Sequence, residues 1–227
     1  MKDILIVGTD TGSGKTIITG LLLRFFRDQN INAISQKWIQ TGSTRFSVDL
    51  KKQLGIAGIT NSEIKPYVRY MNPYCLKFPG SPHLASDLEN RTIRPNKIND
   101  SYYALKKKFA LILVEGTGGA LVPYSNKNLI IDIAKKLPLQ ALVIVNNKLG
   151  AINHALLTIE ALKKRKIPIL GIIFNQTNKI NSALILEDNQ KIIHNLTKIK
   201  IIGCLPFEKN IEKLYRCFKP IGESLIT

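Results

Sequence analysis

An apolar run at residues 4–7, the turn Gly8-Thr9-Asp10-Thr11-Gly12-Ser13-Gly14-Lys15-Thr16 and a second apolar run from Ile17 onward constrain this chain more than anything else in it. A buried strand that feeds a Gly-rich turn and then a helix builds a cradle for phosphate. Turning at Gly12 and Gly14 points successive backbone N–H groups into one concavity, and a helix beginning near Lys15 adds the positive end of its dipole. In such a turn Lys15 reaches the β- and γ-phosphates of a nucleotide, and the Thr16 hydroxyl ligates Mg²⁺. The spacing departs from the standard pattern by one residue. The glycine required five places before Gly14 is replaced by Thr9, and Gly8 stands six places before it.

Apolar stretches of strand length recur at residues 4–7, 33–39, 111–114, 142–145, 169–174 and 201–205, and most are continuous rather than alternating. Continuous apolar strands are buried on both faces, and segments of helical spacing at 17–27 and 152–164 supply the covers. The fold class is therefore α/β, a P-loop NTPase-like, doubly wound, mainly parallel sheet with helices on both faces. With 227 residues and 44% hydrophobic content, residues 1–227 are expected to form one domain. The stretch 44–99, punctuated by Asn72-Pro73-Tyr74 and Pro79-Gly80-Ser81-Pro82, reads as turns and loops.

The formal charge of +17 raises the question of a polyanionic partner. Lysines outnumber arginines and are scattered, no aromatic residues interleave with the short clusters at 106–108 and 163–166, and no nucleic-acid motif is present. No nucleic-acid partner is expected. No apolar run approaches the roughly 18 residues that span a bilayer, and Met1-Lys2-Asp3 leads directly into a strand. These features predict a soluble, cytoplasmic protein without a membrane partner. Cys75, Cys204 and Cys217 are odd in number and lack CxxC spacing, so they read as reduced packing residues. His83, His154 and His194 form no metal-ligand pattern.

In an open parallel sheet, ligands bind beyond the carboxyl ends of the strands. The residues there are Lys37 with Gln40-Thr41-Gly42, Glu115 with Gly116-Thr117-Gly118-Gly119, Asn146-Asn147-Lys148, Asn175, and Leu205-Pro206-Phe207. A carboxylate ending a buried strand needs a cation, which favours Mg²⁺ at Glu115 over a pairing with a neighbouring lysine. Taken alone, Lys37 reads more readily as a solvated lysine at a strand end, and Asp49 as a surface carboxylate.

Several ordered blocks together carry a resemblance. Gly8-Thr9-Asp10-Thr11 with Gly14-Lys15-Thr16, Lys37 to Gly42, Val114-Glu115-Gly116 with Gly118-Gly119 and Val122-Pro123, and Lys148-Leu149-Gly150 with Ile152-Asn153-His154-Ala155 resemble the dethiobiotin synthetase family through nearly the whole chain. Asn72-Pro73-Tyr74 and Ser81-Pro82-His83 strengthen the likeness, and the extra residue in the phosphate loop is part of it. The resemblance implies an enzyme of biotin synthesis that joins CO₂ to 7,8-diaminopelargonate with MgATP and closes a cyclic urea through a carbamate and a carbamic-phosphoric anhydride. It further implies that Lys15 and Lys37 neutralise charge between the reacting anions, with Thr11 beside them. Gly12, Ser13, Gly14, Lys15, Thr16, Ile17, Gly116, Thr117 and Gly118 then surround the nucleotide, and Thr16, Asp49 and Glu115 hold Mg²⁺. Asn175, Gln176, Pro206 and Phe207 read the base, and Glu212 meets the ribose. Thr41 contacts substrate, while Gly150 and Asn153 meet the substrate bound by the partner chain of a homodimer.

The chain departs from the family pattern at Gly12, where an acidic residue is common, at Trp38, where proline is usual, and in a shortened segment 43–49. Two competing readings are weaker. A partitioning-type P-loop switch that binds a protein or membrane commonly carries a lysine where this chain has Thr9, and many such switches end in a basic amphipathic helix. An amidotransferase-type synthetase needs a glutaminase domain, for which 227 residues leave no space.

Overall fold

The computed structural model describes residues 1–179 and 182–226. β1 (Asp3–Gly8) is buried at every position, so both of its faces are covered, and it gives way through the Gly-rich loop to α1 (Lys15–Asp28). There follow β2 (Ala33–Lys37), β3 (Ile39–Gln40), α2 (Val48–Ile56), α3 (Asn61–Ile64), α4 (Val68–Met71) and β4 (Tyr74–Cys75). The chain continues through α5 (Pro82–Leu88), α6 (Pro95–Lys106), β5 (Leu111–Gly119), α7 (Ile130–Ala134), β6 (Leu139–Asn146) and α8 (Ala151–Lys164). It ends with β7 (Ile169–Asn175), α9 (Ala183–Thr197), β8 (Ile201–Leu205) and α10 (Ile211–Glu223). Six strands form one parallel sheet in the order β2-β5-β1-β6-β7-β8. All six expected strands are present, and each of the two expected helices starts within two residues of its expected position.

Three differences from the sequence-based expectation have physical causes. The expected strand 33–39 stops at Lys37; the chain leaves the large sheet, Trp38 is engulfed, and β3 pairs with β4 in a separate two-stranded sheet. Tyr74 N donates to Trp38 O at 3.2 Å and Leu76 N to Gln40 O at 2.8 Å, which rehouses the backbone groups that the large sheet no longer takes. β5 runs past the expected end to Gly119, so Glu115 and the following glycines lie within the strand. Stretch 44–99 is not irregular: it holds α2 to α5, β4 and the start of α6. Those helices are short and locally capped, Ser47 accepting from Leu50 N at 3.1 Å and Glu63 closing a capping box on Thr60, so a long amphipathic period never develops.

The cysteine reading is also corrected: Cys204 and Cys217 are exposed and Cys75 is half-buried, so they are not core packing residues. Elsewhere the cover is tight. A Cβ on Gly222 of α10 would lie 2.6 Å from the Phe25 ring, so only glycine lets α10 lie this close to α1. At the start of β1 the buried Asp3 carboxylate accepts from Tyr102 Oη, from Lys106 Nζ at 2.9 Å and from Ile112 N at 2.8 Å. Among the described residues no helix is long and apolar enough to cross a membrane.

Candidate active site

The loop after β1 turns where the glycines allow it, with φ of 81° at Gly12 and 92° at Gly14, values in the left-handed region. Gly14 is the N-cap of α1 and offers no side chain, which leaves the first-turn N–H groups of α1 free for an anion. Lys15 folds back over the loop and donates to Asp10 O at 3.0 Å. Gly8 makes room for it, since a Cβ there would stand 2.6 Å from Lys15 Nζ and 2.3 Å from Ser13 Oγ. Ser13 Oγ is buried without a hydrogen-bond partner, a polar atom the loop holds in reserve. Asn175 Nδ2 donates to Ser13 O at 2.9 Å, and a Cβ on Gly14 would fall 2.0 Å from that nitrogen.

Beside the loop lies a buried charge cluster. Lys37, 3% exposed, donates from Nζ to Glu115 Oε1 at 2.6 Å and to Gly116 O at 3.0 Å, and lies 2.8 Å from Asp49 Oδ2. Thr16 Oγ1 donates to the same Glu115 oxygen at 3.2 Å, and Gln53 Nε2 donates to Glu115 Oε2. Burial works against the charge on Lys37, but Glu115 and Asp49 outweigh it and hold its pKa above the ordinary value. Burial also opposes ionisation of Asp49, and Lys37 overrides it, keeping that carboxyl below the usual range. The Glu115 carboxyl is pushed up by burial while Lys37 pulls against it. Lys15 behaves differently: burial, and then repulsion from Lys37, lower its pKa to about 8.

These groups face a cavity of about 720 Å³ at the carboxyl edge of the sheet. Of the sequence-predicted residues, Thr11, Gly12, Gly14, Lys15, Thr16, Ile17, Lys37, Thr41, Asp49, Glu115, Thr117 and Gly118 line it. Ser13 lies buried beneath the loop, and Gly116 meets the cluster through its carbonyl. Gln176 N bonds Leu205 O at 2.9 Å between the ends of β7 and β8, and Pro206 follows β8. Phe207 borders a second hollow of about 480 Å³ with Lys179, Glu208 and Lys209. Glu212 is in the first turn of α10, clasped by both terminal nitrogens of Arg24 at 2.7 and 2.9 Å. Gly150 and Asn153 are exposed at the start of α8 and do not line the large cavity.

Lys52 and Gln53 were not singled out in the sequence, whereas Gln40, read there at a strand end, and Pro79 to Pro82, read as a turn, also belong to the site. Lys52 and Gln53 follow Asp49 by three and four residues, the spacing that puts side chains on one helical face, and Ser47 was the capping signal for that helix. The oxygen set of Thr16, Asp49 and Glu115 suits a hard cation such as Mg²⁺, which takes one or two carboxylates and leaves positions for phosphate and water. Among the described residues no group of three or more His, Cys, Asp or Glu could hold a metal ion.

Comparison with known proteins gives the family. A family described as an AAA domain matches residues 2–214. An ATP-dependent dethiobiotin synthetase of Clostridium perfringens (strain ATCC 13124) is 37% identical over 220 residues, covering 93% of each chain. Its counterpart in Methanocaldococcus jannaschii is 35% identical over 221 residues, 94% of this chain and 100% of that one. Among solved structures, the cell division ATPase MinD of Pyrococcus furiosus superposes with a TM-score of 0.59 at 18% identity, covering 100% of this chain and 99% of that one. A pNOB8 ParA bound to nonspecific DNA reaches 0.60 at 17% identity, with 99% and 97% covered. At that identity the likeness to MinD and ParA is one of fold alone, whereas the sequence relatives match over nearly their full length. The P-loop α/β architecture is shared with those ATPases, and the chain belongs to the dethiobiotin synthetase family.

Proposed function

We propose that this chain is an ATP-dependent dethiobiotin synthetase, a cyclo-ligase that forms dethiobiotin, ADP and phosphate from 7,8-diaminopelargonate, CO₂ and ATP. The observation that carries the reading is the shared cavity. Its lining joins a phosphate loop with Lys15 to an adjoining buried cluster in which Lys37 is set between Glu115 and Asp49. One substrate amine adds to CO₂ and loses a proton, giving a carbamate. A carbamate oxygen attacks the γ-phosphorus and ADP leaves. The second amine then attacks the carbamoyl carbon, phosphate departs with that oxygen, and loss of the amine proton closes the cyclic urea.

No protein nucleophile is required. The chain aligns two anions that repel each other, so its contribution is positioning and charge stabilisation. Lys15, at the loop, and Lys37, in the charge cluster beside it, both bring positive charge to the cavity that would take the γ-phosphate. The α1 N-terminus and the loop N–H groups, with Gly12, Ser13 and Gly14, hold the phosphates, and Thr11 flanks the transfer. Thr16, Asp49 and Glu115 would hold Mg²⁺, which neutralises phosphate charge. Thr41 contacts the diamine substrate; Asn175, Gln176, Pro206 and Phe207 border the base, and Glu212 would have to leave Arg24 to reach a ribose.

The enzyme works as a homodimer in the cytoplasm, on small molecules and without nucleic acid. Supporting the dimer, Leu149 (78% exposed), Leu157 and Leu121 are exposed apolar residues, the first next to Gly150 and the second on α8 with Asn153. Leu121 and Leu157 edge a groove that shares Val122 with the large cavity, so a second copy seated there would bring its α8 start towards the substrate. Running the reaction with ¹⁸O-labelled CO₂ tests the chemistry. One ¹⁸O is expected in the released phosphate; unlabelled phosphate alongside labelled dethiobiotin would exclude the carbamic-phosphoric anhydride.

A further inference from the structure

We infer that Gln53 is a positioning residue for Glu115, holding one oxygen of that carboxylate so that the other alone faces Thr16 and Lys37. Gln53 is fully buried, and its Nε2 donates to Glu115 Oε2. Glu115 Oε1 in turn accepts from Lys37 Nζ at 2.6 Å and from Thr16 Oγ1 at 3.2 Å. The two oxygens therefore have separate duties.

The amide meets one buried need and leaves another unmet. Gln53 Oε1 is buried with no hydrogen-bond partner, and an unmet acceptor in the interior is costly. A leucine or methionine would remove that orphaned amide oxygen but leave the buried Glu115 Oε2 without its donor. What the amide adds is a donor aimed at Glu115. The surrounding backbone is arranged to deliver it. Ser47 caps α2 and donates to Gln40 Oε1 at 2.6 Å, which fixes the start of the helix against β3. Gly20 lets α1 and α2 nearly touch, since a Cβ there would lie 3.1 Å from Gln53 Cα and 2.8 Å from Ile56 Cδ1. One helical turn separates Asp49 from Gln53, so a single helix presents a carboxylate to Lys37 and an amide to Glu115.

The inference rests on reading Thr16, Asp49 and Glu115 as the site of a divalent cation. A carboxylate with one oxygen tied by Gln53 offers a cation a single oxygen, which suits a small octahedral ion that also keeps phosphate and water. Outer residues that orient a ligating carboxylate commonly change metal affinity by about 10–100-fold when removed.

The test measures how strongly Mn²⁺ tightens ADP binding to the full-length protein, as the ratio of ADP affinities with and without Mn²⁺. Gln53→Leu and Gln53→Met are compared with wild type and with Glu115→Gln, and fluorescence of Trp38, the single tryptophan, reports folding. We expect both Gln53 variants to lose about tenfold or more of the Mn²⁺ effect while ADP affinity without metal stays within about twofold. A purely structural role would lower thermal stability and leave the ratio unchanged. Loss of the ratio in Glu115→Gln but not in the folded Gln53 variant overturns the role of Gln53 alone. Retention of the ratio in Glu115→Gln overturns the cation site and this inference with it.

Discussion

Lys37, the last residue of β2, stands in register opposite Glu115 in β5, and its ammonium lies 2.6 Å from the Glu115 carboxylate. With Asp49 Oδ2 at 2.8 Å and Gly116 O at 3.0 Å, three acceptors surround a group that has three N–H donors. The pairing is a direct consequence of parallel register: adjacent strand ends bring together two residues separated by 78 positions in sequence. Removing either partner of a buried pair strands a charge, at a cost of about 3–5 kcal/mol.

That cost shapes the choice of variant at Lys37. Lys37→Gln retains donors towards Glu115 and Asp49 but removes the positive charge from the cavity. Turnover should fall by about 100-fold or more, the range for loss of a charge-stabilising donor, while ATP affinity changes less than about threefold. Steady-state kinetics and equilibrium nucleotide binding check this. Unchanged turnover would remove Lys37 from the reaction.

Lys15 gives a pH dependence whose sign follows from its environment. Burial, then Lys37, lower its pKa from 10.5 to about 8 in the free protein, and nucleotide phosphates favour its protonated form. Below pH 8 the lysine is already charged and metal-free ADP affinity should be flat. Above pH 8 binding must take up a proton, so affinity should fall by about tenfold per pH unit. Lys15→Met should bind weakly and lose this slope. For folding, the unfolded chain holds that proton more tightly, so the contribution of Lys15 to stability rises with pH between about 8 and 10.5. Calorimetric titrations of ADP between pH 7 and 9.5 measure the binding slope; a flat profile would contradict it.

Gly14 tests the loop geometry. A φ of +92° is unfavourable for a side chain, and a Cβ there would meet Asn175 Nδ2 at 2.0 Å. Gly14→Ala should cost about 1–3 kcal/mol in stability and displace Asn175 from Ser13 O, with nucleotide binding reduced by more than about tenfold. Denaturant melts and ADP titration measure both effects. A variant that binds ADP like wild type would show that the loop tolerates a different path.

The proposed dimer predicts complementation between defects. Asn153→Ala and Lys15→Ala subunits, each inactive as homodimers, should recover activity when mixed, because one of the two sites in the heterodimer then receives both intact residues. Activity of the mixture measured against the separate proteins decides the question. No recovery, with heterodimers demonstrated by mass, would contradict a site built across the interface.

The loop and the position of Glu115 were legible in the sequence because their signal is local: a buried strand, a Gly-rich turn, and a carboxylate within an apolar run; the cation beside Glu115 in the structure is nevertheless Lys37, the pairing the sequence ranked below Mg²⁺. Lys37 entered only through the family resemblance, since solvation is the common fate of a lysine at a strand end and its burial depends on β5 lying alongside. Asp49 and Gln53 depend on α2, whose capping signal at Ser47 was overshadowed by the proline and glycine punctuation downstream. Trp38 illustrates a different limit. Its indole donates to Gln36 Oε1 at 2.9 Å and is buried, an interior contact that nothing local in the sequence announces.

The central claim is tested most directly by an assay with MgATP, bicarbonate and 7,8-diaminopelargonate in which each component is omitted in turn while ADP and dethiobiotin are measured together. A synthetase gives ADP and dethiobiotin in equal amounts from the complete mixture, and neither above background when the diamine or the carbon source is withheld. ATP hydrolysis at an undiminished rate without the diamine, and no cyclic urea with it, would contradict the account and favour a nucleotide switch.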